Sequence, residues 1–208
     1  MTDRARNFWD KRAERYSTRP VADEATYQKK LDVTREYLNS DSEVLEFGCG
    51  TGSTAISHAP YAGHILATDI SSEMIEIARS RAREDDVQNV TFAQSSVDEF
   101  EAPDESYDAV LGLNLLHLLE DKDAAIKKIY RMLRPGGVFV SSTACITDMM
   151  PLFRLVAPIG ALLRIFPPVA IFSAKELTRA LTDAGFVIEH EWLPGKNKAI
   201  FIVARKSR

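Results

Sequence analysis

Val44-Leu45-Glu46-Phe47-Gly48-Cys49-Gly50-Thr51-Gly52 is the stretch on which the fold turns. An apolar β-type run (Val44, Leu45, Phe47) ends in three alternating glycines, and Ser53-Thr54-Ala55-Ile56 is suited to open a helix. A strand, a glycine turn and a helix N-terminus bring bare backbone N–H groups close to a ligand, because no Cβ intervenes at Gly48, Gly50 or Gly52. The spacing is G-x-G-x-G and lacks the later third glycine of the dinucleotide fingerprint. No Gly-Lys-Ser/Thr follows, which argues against a phosphate-cradling P-loop. Glu46 stands at the strand end, where a carboxylate suits a cationic ligand better than a pyrophosphate.

Downstream, His64-Ile65-Leu66-Ala67-Thr68-Asp69 is a second strand pattern that ends in an acid. In a βαβ unit, an acid at that point takes the hydroxyls of a ribose. With these two segments in hand, the chain resembles the class I S-adenosylmethionine (SAM)-dependent methyltransferases of the small-molecule type. The resemblance rests on Glu46 to Gly52 followed by Thr68-Asp69-Ile70-Ser71. It implies SAM as cofactor and S-adenosylhomocysteine as product. It also implies Ile70 on the adenine face and Ser96, the Val97 N–H or nearby Asp98 at the adenine edge, where the family often has Gly-Asp-Ala and this chain has Ser95-Ser96-Val97. Asn114, opening the segment after the fourth strand, is expected beside the transferring methyl group. Trp9 to Tyr16 resembles the W-x-x-x-A-x-x-Y opening of these enzymes, part of a lid over the cofactor, with Tyr16 as the contact. The same residues read equally well as packing anchors of an exposed helix.

The remaining pattern is consistent with this frame. Val90-Thr91-Phe92-Ala93, Tyr107 to Leu113 and Val138 to Ser142 read as further strands. Helices are expected from Ser71, and from Asp121 to Leu133, where Arg134-Pro135-Gly136-Gly137 stops the helix. A helix from about Tyr27 leads into the first strand. Ser173-Ala174-Lys175-Glu176 is a capping box, and the helix it opens ends at Gly185. Phe186 to Leu193 and Lys198 to Ala204 form a closing hairpin. The expected fold is α/β: a doubly wound, mostly parallel, seven-stranded Rossmann-like sheet with a C-terminal antiparallel hairpin. We expect one domain, divided into an N-terminal helical lid (1–40), a SAM-binding core (41–145), an apolar insertion or lid (146–172) and the closing helix and hairpin (173–208).

At 208 residues, 45% hydrophobic and 27% charged, the chain is long enough for one good core. A net charge of -4 gives no general drive toward nucleic acid or anionic membrane. Asn114 is followed by Leu115-Leu116-His117, without the Asn-Pro-Pro-aromatic of nucleic-acid amino-methyltransferases. No cysteine suits base-carbon methylation, since Cys49 belongs to the glycine turn, and Cys49 and Cys145 have no metal-ligand spacing. No signal-peptide pattern opens the chain, so a reducing cytoplasm is the expected compartment. Residues 146–172 hold only three charges, Asp148, Arg154 and Arg164, and prolines at 151, 158, 167 and 168. Those prolines and arginines argue against a membrane span and for two short apolar helices. The segment lies where this family inserts substrate-covering helices, so an apolar or lipid-like small-molecule acceptor is expected. A homodimer surface is the competing reading of the same residues. His117 is the candidate general base, if the acceptor arrives protonated. The alternative to an enzyme is a non-catalytic SAM-binding module that uses the same pocket.

Overall fold

A computed structural model describes residues 3–149 and 170–208. The apolar run at 44–47 becomes β1 (Glu43–Phe47), and its neighbours are β2 (His64–Asp69), β3 (Val90–Gln94), β4 (Tyr107–Leu113) and β5 (Leu133–Thr143). Two more strands, β6 (Phe186–Trp192) and β7 (Ile200–Lys206), complete a seven-stranded sheet in the order β3-β2-β1-β4-β5-β7-β6. β1 to β5 are mutually parallel, while β7 runs antiparallel to both β5 and β6.

Helices cover both faces, which is why the central strands read as near-continuous apolar runs. On one face Leu45, Phe47, Val110 and Phe139 meet Ile126 and Ile129 of α6 (Lys122–Met132) and Leu177 and Leu181 of α8 (Ala174–Asp183). On the other, Val44, Ile65, Ala67, Leu111 and Val140 meet Ala55 of α4 (Ser53–His58) and Ile75 and Ala78 of α5 (Ser72–Glu84). Full burial of each large side chain stabilises the fold by roughly 1.5–3 kcal/mol.

Capping follows the sequence. Ser71 accepts from Met74 N–H, Asp121 from Ala124 N–H, and Ser173 with Glu176 forms a reciprocal capping box. Two details differ from expectation. The helix before β1, α3 (Glu24–Arg35), starts one turn earlier than Tyr27, because Asp23 caps it by accepting from Thr26 N–H. β5 begins at Leu133, inside the expected helix stop, and regular pairing resumes only at Val138. Between them Arg134 reaches Asp108 across 2.6 Å, and Gly136 takes φ +82°, so the stop is a bulge in the strand. The expected insertion is described only at its ends, as α7 (Ile146–Met149) and the approach to α8. Residues 150–169, which carry Phe153 and Phe166, lie outside the described residues. No helix among the described residues is long and apolar enough to cross a membrane.

Candidate active site

The chain runs outward from β1 through β2 to β3, then returns to β4 and continues the other way. Ligands in open α/β sheets bind at such a reversal, beyond the carboxyl ends of the strands. A cleft opens there, with about 700 Å³ of empty space that includes open solvent. Its lining includes Gly48, Gly50, Asp69, Ile70, Ser96, Val97, Asn114 and Tyr16, all singled out from sequence. Trp9, Phe47, Met74, Ser95, Leu113, Leu115 and Leu118 complete it.

The three glycines do different work. Gly48 and Gly50 face the cleft at φ +68° and +53°. A Cβ on Gly50 would meet only Tyr16 Cε1, at 3.8 Å, so its hydrogen faces the space beneath the lid. Gly52 is not among the lining residues. At φ +81° it caps α4, and a Cβ there would stand 2.8 Å from Ala78 and 3.0 Å from Phe92. Its requirement for glycine is close packing of the turn on α5 and β3.

Asp69 is held by the turn it faces. One carboxylate oxygen accepts from Gly50 N–H at 2.9 Å, the other from Ser71 N–H at 2.9 Å. Burial raises its pKa, against these hydrogen bonds. Glu46 points to the opposite sheet face from Phe47 and does not itself line the cleft. It is 2% exposed, and its Oε2 has no hydrogen-bond partner among the described residues. Burial first, then the neighbouring Asp69 carboxylate, pushes its pKa up to about 8.

At the adenine-side position the Ser96 hydroxyl is already engaged. It accepts from Glu99 N–H at 3.2 Å and donates to the Glu99 carboxylate at 2.9 Å, closing a turn over residues 97–99. That leaves the cleft wall there to Ser95, to the Ser96 backbone and to Val97. Asn114 stands in the left-handed region at φ +57°, which asparagine tolerates better than most residues. Its N–H donates to Ser142 O at 2.6 Å, tying the end of β4 to β5.

His117 sits in a short 3₁₀ turn, Leu116–Leu118, whose flanking residues Leu115 and Leu118 line the cleft while His117 does not. Its Nδ1 is buried without a partner among the described residues, and burial lowers its pKa to about 4. The imidazole is therefore neutral at cellular pH.

The N-terminal helices α1 (Asp3–Asp10) and α2 (Ala13–Ser17) bring Trp9 and Tyr16 over the cleft, their rings edge-to-face at 6.4 Å. Two contacts on α5 hold them there. Asp10 accepts from Ser71 Oγ at 2.5 Å, at the N-terminus of α5. Two turns further on, Arg81 donates to Thr51 Oγ1 at 2.8 Å, Ser53 Oγ at 3.0 Å and Ser17 O at 2.6 Å. One guanidinium thus spans the glycine turn and the end of the second lid helix. Neither residue was singled out from sequence, because the contacts join positions more than 60 residues apart that carry no local signal.

This is the fold of solved structures described as SAM-dependent methyltransferases. Residues 44–137 match the family described as a methyltransferase domain. The chain is 31% identical to the uncharacterized methyltransferase YcgJ of Bacillus subtilis over 132 residues, 64% of this chain and 52% of YcgJ. It is 32% identical to the ubiquinone/menaquinone biosynthesis C-methyltransferase UbiE of Vibrio campbellii over 113 residues, 52% of this chain and 44% of UbiE. It therefore spans about half the length of these curated relatives. The crystal structure of YcgJ superposes with a TM-score of 0.73 at 20% identity, covering 87% of this chain and 99% of that one. The structure of the [4+2]-cyclase SpnF superposes with a TM-score of 0.70 at 20% identity, covering 86% and 80%.

Proposed function

We propose that this chain binds SAM in the cleft and transfers its methyl group to a small-molecule acceptor with an apolar body. The observation that carries the reading is Asp69 in the cleft lining, fixed by Gly50 and Ser71 N–H, with Glu46 Oε2 near it buried without a donor among the described residues. A ligand with an ammonium group supplies the missing donor. Asp69 lines the cleft with a carboxylate placed to accept from ribose hydroxyls beside its bonds from the turn. Gly50 N–H is already given to Asp69, so the turn is poorly suited to a pyrophosphate and well suited to a phosphate-free nucleoside. Ile70 and Val97 offer apolar faces to the base.

Bound SAM supplies a methyl group already activated by its sulfonium charge. The chain's own task is to position the acceptor and exclude water, effects that reach roughly 7–11 kcal/mol in well-oriented systems. Leu113, Leu115 and Leu118 make the acceptor-side wall apolar, and Trp9 with Tyr16 closes the cleft from above. The relative UbiE is by its name a C-methyltransferase of quinone biosynthesis, which supports a small, apolar acceptor here. We assign His117 no proton-transfer role, because it is not among the residues that line the cleft.

A reading without methyl transfer keeps one specific support: SpnF shares the fold and is a cyclase by its title, so the fold alone does not fix the reaction. Incubating the protein with labelled-methyl SAM and a fractionated cell extract separates the two. Label transferred to a small-molecule fraction supports the enzyme. Tight SAM binding with no labelled product across the fractions supports the reading without methyl transfer.

A further inference from the structure

Resting on that reading, we propose that Lys30 and Tyr27 of α3 form an acceptor-recognition subsite for an acidic oxygen, a carboxylate or an ionised enol or phenol. Lys30 Nζ donates to Ser142 Oγ at 2.8 Å, at the carboxyl end of β5. Ser142 pairs with Leu113 across the β4–β5 ladder, and its carbonyl holds Asn114 N–H at 2.6 Å. Leu113 and Asn114 both line the cleft, so the ammonium stands one residue behind its wall. One helical turn earlier on the same face of α3, the Tyr27 hydroxyl is buried with no partner among the described residues. Tyr27 is also close enough to Tyr16 to help raise its pKa, after partial burial and the Asp69 carboxylate. The pair therefore lies behind the cleft wall, with Lys30 at the end of β5.

Lys30 makes no ion pair among the described residues. The carboxylate whose field reaches it, Asp23, is already engaged by Lys198 and by Thr26 at 2.6 and 3.1 Å. The Ser142 hydroxyl satisfies one of the three ammonium donors and neutralises no charge. Burial accordingly lowers the Lys30 pKa. A part-buried cation without an ion pair and, one turn earlier on the helix, a phenol hydroxyl without a partner, both among the described residues, are costly in the empty protein unless a ligand completes them. An oxygen anion does so, accepting from both and placing the apolar remainder of the acceptor against Leu113 and Leu115.

The test uses the full chain saturated with S-adenosylhomocysteine and two matched probe pairs at neutral pH. One pair is 2-naphthoate and 2-naphthamide; the other is 2-hydroxy-1,4-naphthoquinone, an acidic enol, and its methyl ether. Calorimetry should show each ionised probe binding roughly tenfold or more tightly than its neutral partner. Lys30→Met should erase that preference, Lys30→Arg should keep part of it, and Tyr27→Phe should reduce it a few-fold. Affinity for S-adenosylhomocysteine should not change in any variant. Lys30→Met should melt at or above wild type, because an uncompensated buried charge has gone. Either no ionised-over-neutral preference in wild type or an unchanged preference in Lys30→Met overturns the inference. A Lys30→Met protein that melts far below wild type overturns it too, making Lys30 a strut between α3 and β5. Failure of wild type to bind S-adenosylhomocysteine would instead remove the methyltransferase reading itself, and the subsite with it.

Discussion

The two ends of the cleft are built differently. Over β1, β2 and β3 most polar groups are satisfied within the protein: Asp69 by Gly50 and Ser71, Ser96 by Glu99, and the lid by Asp10 and Arg81. Glu46 Oε2 is one exception among the described residues. Over β4 and β5 the reverse holds: Ser141 Oγ, Thr143 Oγ1, His117 Nδ1 and the Tyr27 hydroxyl lack partners among the described residues, and Lys30 lacks an ion pair among them. Buried polar groups in folded proteins are nearly always bonded, so each unpartnered one asks for an explanation. A ligand of fixed shape is best held by backbone and a preset carboxylate, whereas a variable acceptor is selected by side chains whose bonds await it.

The sharpest way to break this contrast is at the preset end. Gly50→Val should weaken SAM binding more than a hundredfold, since a branched side chain at φ +53° is strained by roughly 1–3 kcal/mol and also fills the space beneath Tyr16. Calorimetry measures the loss, and circular dichroism checks that the fold persists. Wild-type affinity in a folded Gly50→Val protein would mean that the turn does not face SAM. Next in size, Asp69→Ala should lose about 1.5–3 kcal/mol of SAM affinity, the range for charged hydrogen bonds. An unchanged dissociation constant would remove the ribose assignment.

Arg81→Met should cost less, about 0.5–1.5 kcal/mol for the bonds it breaks. The loss should appear as faster SAM release in stopped-flow traces and faster proteolysis near Ser17. If both rates match wild type, the guanidinium is not what holds the lid.

Glu46 gives a pH signature. Its folded pKa, about 8, lies above the ordinary 4.5, so the empty protein binds an extra proton between those values. Its stability contribution is therefore greatest below 4.5 and declines as pH rises through about 8. A cationic ligand reverses this by favouring the carboxylate. SAM binding at neutral pH should thus release up to one proton, seen as heats that depend on buffer ionisation enthalpy, and Glu46→Gln should release none. Equal proton release from both proteins would break the assignment.

The smallest expected effect is on activity at His117. His117→Phe should leave methyl transfer within about twofold, in the range of a conservative packing change. The folded imidazole pKa is about 4 against an ordinary 6.5, so the native state loses stability as pH falls through that window. His117→Phe should therefore resist acid better than wild type in melts at pH 5. A hundredfold loss of activity with an intact fold would restore His117 as a base.

The sequence by itself determined the parts of this protein whose physics is local. Alternation and apolar runs wrote the strands, Ser71, Asp121 and Ser173 wrote the caps, and Gly48, Gly50 and Asp69 marked the cleft by residue type and spacing. Periodicity and capping act within a few residues, so one chain segment suffices to read them. What only the tertiary structure decided lies between segments distant in the chain. Gly52 turned out to serve the packing of Ala78 and Phe92, the Ser96 hydroxyl belongs to Glu99, and His117 stays out of the cleft lining that Leu115 and Leu118 join. Arg81 meets Ser17, and Lys30 meets Ser142 112 positions away, through side chains of ordinary type in unremarkable surroundings. The sheet order fixes those meetings, because strands far apart in sequence end side by side, and no local pattern encodes which side chain a neighbour will find there.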